Sequence, residues 1–194
     1  MSTSIQAAKI LADSFLNYPL MRFALEGCPE AQSGKKLNQI YRCCSSAAAM
    51  FGGVIVTPDQ EGALIWLPGK NFPLTLSHEI KSGMGGIPFR IGIKATLRLM
   101  RHEAAAEKWI RNHAGDHFGY IWSVGVNNAS RGKGYGRGLI DESIEQMRRQ
   151  GMNEFWLKTE DPKNVAIYQK LGFELIYEKI VKSSGVTSWM MRRR

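Results

Sequence analysis

The chain contains two early stretches in which apolar residues recur every three or four positions. The first includes Ala8, Leu11, Ala12, Phe15 and Leu16, and the second includes Leu37, Ile40, Tyr41, Cys44 and Ala48. This spacing places the apolar side chains on one face of an α-helix, because a helix repeats every 3.6 residues. We therefore predict two amphipathic helices in the first third of the chain.

The pattern then changes to short runs of β-branched and aromatic residues. Residues 53–57 and 63–67 have this composition, and the segment between them contains Pro58, Asp59 and Gly62. Two such runs joined by turn-forming residues are typical of a β-hairpin. The Gly, Pro and Ser residues that follow predict a loop with at most one short helix. Helical spacing returns at residues 91–113.

The last third of the chain alternates strands and helices. Strands are predicted at residues 120–126, 154–159, 173–181 and 186–191, and helices at residues 137–150 and 162–170. Gly151 suits the residue that ends the first of these helices. Asp161 is the predicted N-cap of the second, and Pro162 suits its first turn. We find no repeat or linker, so residues 1–194 are expected to form a single domain.

The composition is that of one compact domain, with 44% hydrophobic and 22% charged residues among 194. Lys9, Asp13 and Arg22 interrupt the first apolar stretch, so it does not resemble a signal peptide. No apolar run reaches the roughly 20 residues that a membrane-spanning helix needs. These features predict a protein without a membrane segment.

The cysteines and the charge restrict the setting further. Cys28, Cys43 and Cys44 cannot all pair, and their spacing is not that of zinc ligands, so we expect reduced thiols and a cytoplasmic location. No other metal-site pattern is present. The formal net charge of +9 favours polyanionic partners, which include a phosphorylated cofactor, nucleic acid and an acidic membrane surface.

Glycine alternates with mostly basic residues just before the helix predicted at residue 137. This segment reads Arg131, Gly132, Lys133, Gly134, Tyr135, Gly136, Arg137 and Gly138. Backbone amides without Cβ obstruction can converge there on one anion, and the start of a helix adds partial positive charge. A pyrophosphate fits these properties, with Arg131, Lys133 and Arg137 adding charged contacts. The spacing matches neither the dinucleotide-binding G-x-G-x-x-G fingerprint nor a Walker A loop.

The same segment belongs to a longer pattern. Val126, Arg131, Gly134 and Gly136 form V-x-x-x-x-R-x-x-G-x-G after a strand, which resembles the acetyl-CoA-binding motif of the GNAT superfamily of N-acetyltransferases. Asn164, Tyr168, Gly172 and Phe173 follow at the expected distance and are similar to the superfamily's next motif. The close resemblance covers residues 120–173, and the helical stretch between residues 67 and 120 looks like an insertion.

The resemblance implies an α/β fold with a mixed, mostly antiparallel sheet of six or seven strands flanked by helices. It also implies that acetyl-CoA is the cosubstrate and that its acetyl group passes to an amine by direct attack. The implied cofactor-binding residues are Val124, Gly125, Val126, Arg131, Gly132, Lys133, Gly134, Tyr135, Gly136, Arg137 and Asn164. Val124–Val126 would lie on a strand that separates from its neighbour, and Tyr168 would be the acid that protonates the departing thiolate.

Several assignments stay open. Tyr168 is alternatively a core aromatic residue, and Asn164 alternatively satisfies backbone groups of its own helix. Superfamily members often carry a glutamate where this chain has Lys158, so the general base is not assigned. Its candidates are Glu103, His117 and Glu160, and an amine could also arrive deprotonated. Phe89, Trp109, Phe118 and Trp122 are candidates for an acceptor pocket, although such aromatic residues more often belong to a core.

Other functions compete with acetyl transfer. The basic glycine segment would also suit a nucleic-acid-binding protein, but its position between a strand and a helix differs from that of disordered Arg-Gly segments. A CoA-binding sensor without catalysis is the third alternative. The expected acceptor is a small-molecule or peptide amine, and a basic surface would disfavour polyamines unless acidic residues collect at the cleft. The chain is expected to be a monomer, or a homodimer paired through its closing strands.

Overall fold

The computed structural model describes residues 2–194, which form a twisted β-sheet between two layers of helices. The helices are α1 (Thr3–Ser14), α2 (Pro19–Ala24), α3 (Glu30–Phe51), α4 (Leu76–Ser82), α5 (Ile87–Ile91), α6 (Ile93–His113), α7 (Tyr135–Arg149) and α8 (Pro162–Lys170). The strands are β1 (Gly53–Val56), β2 (Gly62–Pro68), β3 (Phe118–Val126), β4 (Glu154–Thr159), β5 (Glu174–Ile180) and β6 (Thr187–Arg193).

The sheet has six strands in the order β1-β2-β3-β4-β6-β5, and every neighbouring pair except β3 and β4 is antiparallel. This arrangement confirms the predicted mixed, mostly antiparallel sheet. β3 and β4 run parallel because α7 connects them, and a crossover helix returns the chain to the same end of the sheet. β6 lies between β4 and β5, so the final hairpin closes the sheet with its last strand inside.

Both faces of the sheet are buried beneath helices. On one face, Ala63 and Ile65 of β2 pack with α1 and α3. On the other face, Leu64 and Trp66 pack with α7, whose apolar positions include Leu139. Successive strand residues point to opposite faces, and all seven residues of β2 are buried, as expected for a strand covered on both sides.

The helices α4, α5 and α6 lie between β2 and β3, where the sequence predicted a helical insertion. α6 packs on the sheet face that also bears Phe118, Tyr120 and Trp156, and it contributes Ala106 and Ile110 to this core. The segment predicted as a loop with room for one short helix, between Pro68 and Pro88, contains α4, and the short α5, which was not predicted, begins at its end. The insertion covers the sheet beside the strands that form the candidate site.

Two further features differ from or extend the predictions. The sequence did not predict α2, which is six residues long and therefore too short to show helical periodicity. α7 begins at Tyr135, two residues before the predicted start, because Gly134 acts as its N-cap.

Among residues 2–194, no helix combines the length and apolarity needed to cross a membrane. Cys28, Cys43 and Cys44 are free thiols.

Candidate active site

β3 and β4 separate part of the way along their lengths. Their parallel ladder runs from the pair Phe118 and Glu154 to the pair Ile121 and Leu157. β3 continues to Val126 and stays paired with β2 on its other edge. The β3 segment from Trp122 onward therefore has no strand partner on the β4 side within residues 2–194, as the resemblance implied. Its backbone groups on that edge are open to a ligand.

The register of β3 also changes where the two strands separate. Ile65 of β2 pairs with Ser123, whereas the next residue, Trp66, pairs with Ile121. Trp122 is therefore an additional residue in β3, which is the arrangement of a β-bulge. A bulge bends its strand, so it directs the last part of β3 away from β4. Val124, Gly125 and Val126 follow this bend.

The glycine segment forms a tight turn between β3 and α7. Gly132 and Gly134 have φ angles of +79° and +88°, a region that L-residues rarely adopt. The amide of Lys133 donates to Ser130 O at 3.4 Å, and the next amide that bonds back to a carbonyl of this turn is that of Gly138, at 3.1 Å from Gly134 O. No side chain of the described residues caps the helix. The amides of Tyr135, Gly136 and Arg137 are therefore available to an anion at the helix start.

Side chains of the β1–β2 hairpin fasten this turn to the sheet. The Tyr135 hydroxyl donates a short hydrogen bond to Asp59, and Ser130 Oγ donates to Glu61 at 2.6 Å. The amide of Asn127 donates to the carbonyl of Glu61 at 2.8 Å. The hydrogen bond with Tyr135 lowers the pKa of the Asp59 carboxyl. The turn is thus held in place by contacts that leave the amides of α7 free.

The charged residues of the turn are exposed. Arg131 and Lys133 have exposed side chains, and Arg137 forms a solvent-exposed ion pair with Asp141 at 3.6 Å. An exposed pair of this kind is weak, so it does not prevent Arg137 from contacting a phosphate. Arg131 and Lys133 precede the open amides in the sequence, and Arg137 stands at their end. Together they make the turn a positively charged site.

Gly125 has a structural role that its place in the motif does not reveal. A Cβ atom at this position would lie 2.7 Å from Cβ of Ser14, because α1 crosses β3 there. Gly136 is less restricted, since a Cβ atom would lie 3.9 Å from a methyl group of Val126. The two glycines therefore serve different purposes, the first in helix packing and the second at the turn.

A set of hydrogen bonds joins α8 to the end of β4 beside the separation. Asn164 Nδ2 donates to Thr159 Oγ1 at 3.2 Å, and Tyr18 shares a hydrogen bond of 3.0 Å with the same oxygen. The amide of Glu160 donates to the Tyr18 hydroxyl at 2.6 Å. As predicted, Asp161 caps α8 by accepting from the amide of Lys163 at 3.0 Å. Asn164 thus bonds to β4 rather than to the backbone of its own helix.

Tyr168 lies on α8 one turn after Asn164 and is half-buried. Its ring packs edge-on against Phe173, with 6.0 Å between the ring centroids. Burial raises the pKa of Tyr168 well above its usual value, and the charges of Glu160 and Asp161 raise it further. The phenol is therefore protonated at neutral pH. It lines the same cavity as Val124 and Asn164.

This cavity has a volume of about 480 Å³ and extends from the separation of the strands to the inserted helices. Val124, Asn164 and Tyr168 line its cofactor side, whereas Glu79 of α4 and Glu107 of α6 line its far side. Ligand pockets typically measure about 300–1,000 Å³, so this volume suits a small molecule or the end of a larger one. The cavity connects the predicted cofactor site to the insertion.

A buried ion-pair network lies at the centre of the cavity. Lys158 Nζ donates to Glu103 at 2.8 Å and to Glu160 at 2.6 Å. Burial alone would lower the pKa of Lys158, but the charges of Glu103 and Glu160 outweigh it and raise that pKa. The fully buried His102 contacts Glu160 at 3.4 Å and Ser188 at 3.0 Å. His102 and Glu103 thereby attach α6 to β4.

The three candidate general bases differ in their surroundings. Burial would raise the pKa of Glu160, but the charge of Lys158 and the hydrogen bond with His102 lower it to about 2. Glu160 is therefore a poor proton acceptor at neutral pH. Glu103 lines the cavity but is paired with Lys158. His117 is exposed at the opposite end of β3 and does not line the cavity.

Of the four aromatic candidates for an acceptor pocket, Trp122 alone lines the cavity. Phe118 is buried in the core beneath α6. Trp109 stacks on Tyr177, with ring centroids 4.6 Å apart, and Phe89 is 91% exposed. The caution that such residues often belong to a core is confirmed for Phe118.

Sequence reasoning missed three residues that the cavity brings together. Burial raises the pKa of Glu107 from 4.5 to about 7, and the charge of Glu103 adds to this effect. Glu107 follows Glu103 by four residues on α6, so helical spacing could have placed the two carboxyls on one face. Glu79 and Tyr18 gave no such signal, because α4 is short and Tyr18 precedes the unpredicted α2.

Solved structures resemble this fold over nearly its whole length. A Pyrococcus horikoshii protein covers 97% of this chain and 90% of its own, with a TM-score of 0.55 and 16% identity. A Desulfovibrio desulfuricans protein assigned to the GNAT family covers the same shares, with a TM-score of 0.54 and 12% identity. This chain spans only 58% and 50% of the lengths of two acetyltransferase structures that it also matches, with TM-scores of 0.38 and 0.37. The Pyrococcus and Desulfovibrio matches show that this mixed α/β fold is also found in a structure assigned to the GNAT family.

Sequence comparison leads to the same class. The model of the acetyltransferase (GNAT) family matches residues 99–173, which include the glycine turn and Tyr168. An uncharacterised N-acetyltransferase of Schizosaccharomyces pombe is 24% identical over 183 residues, covering 91% of this chain and 72% of that protein. These matches confirm the predicted resemblance to the GNAT superfamily of acetyltransferases, which the family model places at residues 99–173.

Proposed function

We propose that this protein transfers the acetyl group of acetyl-CoA to an amine by direct attack. The observation that carries the proposal is the continuity of the site. An anion-binding turn at the start of α7 follows the unpaired end of β3, and the same strand end borders a cavity lined by Tyr168. The match of residues 99–173 to the acetyltransferase (GNAT) family model supports the same reaction.

The turn is the proposed site of the cofactor pyrophosphate. The amides of Gly132 and of residues 134–137 would donate to its oxygens, and the side chains of Arg131 and Lys133 would add charge-assisted contacts. Val124–Val126 would offer backbone groups to the pantetheine arm, and Asn164 would lie beside it. This direction along β3 leads from the exposed turn into the cavity, so it brings the thioester toward Tyr168.

Tyr168 is the proposed acid. Acetyl transfer needs a donor that protonates the thiolate as the C–S bond breaks. A neutral phenol can do so, and the raised pKa of Tyr168 keeps it neutral throughout the physiological range. A backbone amide near Val124 would stabilise the oxyanion. The neutral amine attacks the carbonyl carbon, the C–S bond breaks and the thiolate takes the proton of Tyr168. The proton lost from the amine nitrogen passes through solvent to restore the phenol, so the products are an amide and free CoA.

The first experiment is a calorimetric titration with acetyl-CoA at moderate salt, with a short oligonucleotide as the parallel ligand. We expect saturable micromolar binding of acetyl-CoA. Thiol release in the presence of an amine panel then measures turnover. Salt-sensitive binding of the oligonucleotide alone would instead favour the nucleic-acid function. Binding of acetyl-CoA without thiol release for any amine would favour a non-catalytic sensor.

A further inference from the structure

The far side of the cavity carries carboxylates without counter-charges. Glu79 and Glu107 are half-buried on the facing helices α4 and α6, and both line the cavity. Within residues 2–194, the ion pairs at this cavity involve Glu103 and Glu160, whereas Glu79 and Glu107 form none. Burial and the charge of Glu103 raise the pKa of Glu107 to about 7, the charge of Lys158 lowers it, and the charge of Glu79 raises it slightly.

The single ammonium group of the cavity is already engaged. The charged lining residues are four glutamates and Lys158, and Lys158 is bonded to two of those glutamates. The lining therefore has an excess of negative charge, although the chain as a whole is strongly basic. A cationic ligand would relieve this excess, and an anionic ligand would increase it.

The hydroxyl of Tyr120 is an independent indication that a polar ligand group binds here. Tyr120 is only 3% exposed and lines the cavity. The structure gives its hydroxyl no hydrogen bond to the described side chains, and the charges around it are those of Lys158, Glu103, Glu160 and Glu107. Because the residue lines the cavity, this hydroxyl is positioned to bond to the polar group of a ligand.

The remaining walls of the cavity are apolar. Phe15, Met21, Met84, Leu99 and Trp122 come from different elements and face the same space. Met100 also lines the cavity and is 60% exposed, so the cavity reaches solvent beside α6. Flexible methionine side chains suit ligands of variable shape. The walls therefore favour an apolar ligand body.

These features define the class of the acceptor, if the chain is the acetyltransferase proposed above. We infer that the acceptor is a small amine with an apolar body and without a carboxylate next to its amine. Glu79 and Glu107 bind it as a cation, and the ammonium group loses one proton to solvent before the neutral amine attacks the thioester. Free amino acids would bring their carboxylate against the same glutamates. The inserted helices would thus act as the specificity element of the enzyme.

A matched set of acceptors tests the inference. 2-Phenylethylamine and L-phenylalaninamide carry the same aromatic body as L-phenylalanine but lack its carboxylate. We expect kcat/KM for both amines to exceed that for phenylalanine by about tenfold or more, because opposed like charges strongly disfavour binding. A ratio below threefold would overturn the inference. So would a clear preference for a phenylalanine-initiated peptide over 2-phenylethylamine, which would make the acceptor a peptide.

A binding measurement separates this inference from the proposed function. N,N-Dimethyl-2-phenylethylamine is a cation that cannot form a stable amide, so its effect on the melting temperature requires no catalysis. We expect it to stabilise the protein, and 3-phenylpropionate to have no such effect. Stabilisation without turnover of any amine would refute acetyl transfer but leave the cation site intact. Turnover of amines without this discrimination would refute the cation site alone.

Charge-removing variants locate the effect. Glu79→Gln and Glu107→Gln together should abolish the stabilisation by the tertiary amine and reduce the kcat/KM ratio between phenylethylamine and phenylalanine toward one. Glu178→Gln is the matched control, because Glu178 is exposed on β5 and outside the cavity. If the double variant keeps both the stabilisation and the ratio, these glutamates do not select the acceptor.

Discussion

The proposed pyrophosphate site at the glycine turn predicts that a negative charge at Gly134 weakens the binding of acetyl-CoA. An aspartate there would place a carboxylate among the amides at the start of α7, and no other atom lies within 4 Å of the added Cβ. The side chain would therefore fit without displacing its neighbours. Gly134→Asp tests the charge of the site rather than its packing.

The expected loss of affinity follows from Coulomb's law. Two unit charges about 4 Å apart interact by about 4 kcal/mol at an effective dielectric constant near 20 and by about 1 kcal/mol in water. Gly134 is exposed, so screening moves the value toward the lower limit. Because 1.4 kcal/mol is about a tenfold change in affinity, we expect the Kd for acetyl-CoA to rise by roughly 10- to 100-fold.

Gly151→Asp is the control for backbone strain. Gly151 lies just beyond the other end of α7, has a φ angle of +84° and also has no atom within 4 Å of an added Cβ. Both variants therefore incur a similar conformational cost of about 1 kcal/mol. Calorimetry should show weakened acetyl-CoA binding for Gly134→Asp alone. Gly151→Asp should have the lower melting temperature of the two, because a carboxylate is unfavourable at the end of a helix and favourable at its start. Normal binding by Gly134→Asp would refute the assignment of the pyrophosphate to this turn.

Three further predictions concern the cavity. Tyr168→Phe should lower kcat by about 10²- to 10⁴-fold with little change in the Kd for acetyl-CoA. The control Tyr177→Phe should leave kcat unchanged. Full activity of Tyr168→Phe at saturating substrate would show that Tyr168 is structural. Lys158→Met should lower the free energy of unfolding by about 3–5 kcal/mol, because it leaves buried Glu160 without its counter-charge. Urea denaturation measures this free energy, and a decrease below about 1 kcal/mol would contradict the prediction. The lowered pKa of Glu160 contributes stability above about pH 4.5, which is lost as pH falls toward about 2. The raised pKa of Glu107 has the opposite effect on stability. Its contribution to the free energy of unfolding is fully present below about pH 4.5 and is lost as pH rises through about 7. Glu107→Gln should therefore raise the melting temperature at pH 8 but not at pH 4, and an equal change at both would refute this titration.

The sequence predicted the last third of the fold well because local signals agree there. α8 has its predicted bounds, since the capping residue Asp161 and the following Pro162 both mark its start. β4 also has its predicted bounds. In contrast, α4 and α5 have seven and five residues, so neither contains enough turns to show a periodic pattern. Their order comes from packing against α3 and α6 rather than from local sequence.

The candidate site divides in the same way. The glycine turn is a contiguous segment, so its residue types and spacing were sufficient to predict an anion site. The cavity instead joins distant positions: Lys158 and Glu103 are 55 residues apart, and Tyr18 and Thr159 are 141 residues apart. Contacts between residues so far apart in the sequence depend on how α6 and α1 pack on the sheet. Local sequence patterns do not determine this packing. The sequence therefore did not predict that the cavity is acidic. It indicated only that acidic residues would have to collect there for a polyamine to bind.

The distribution of charge gives the two ends of the site opposite preferences. The turn presents Arg131 and Lys133 with the open start of α7, whereas the cavity presents unpaired Glu79 and Glu107. A uniformly basic cleft would hold the cofactor phosphates but repel an ammonium group, and a uniformly acidic one would do the reverse. Separation of the two charges along β3 would allow one site to bind both proposed substrates. The net charge of +9 therefore describes the chain as a whole, whereas the inferred acceptor site has a local charge of the opposite sign.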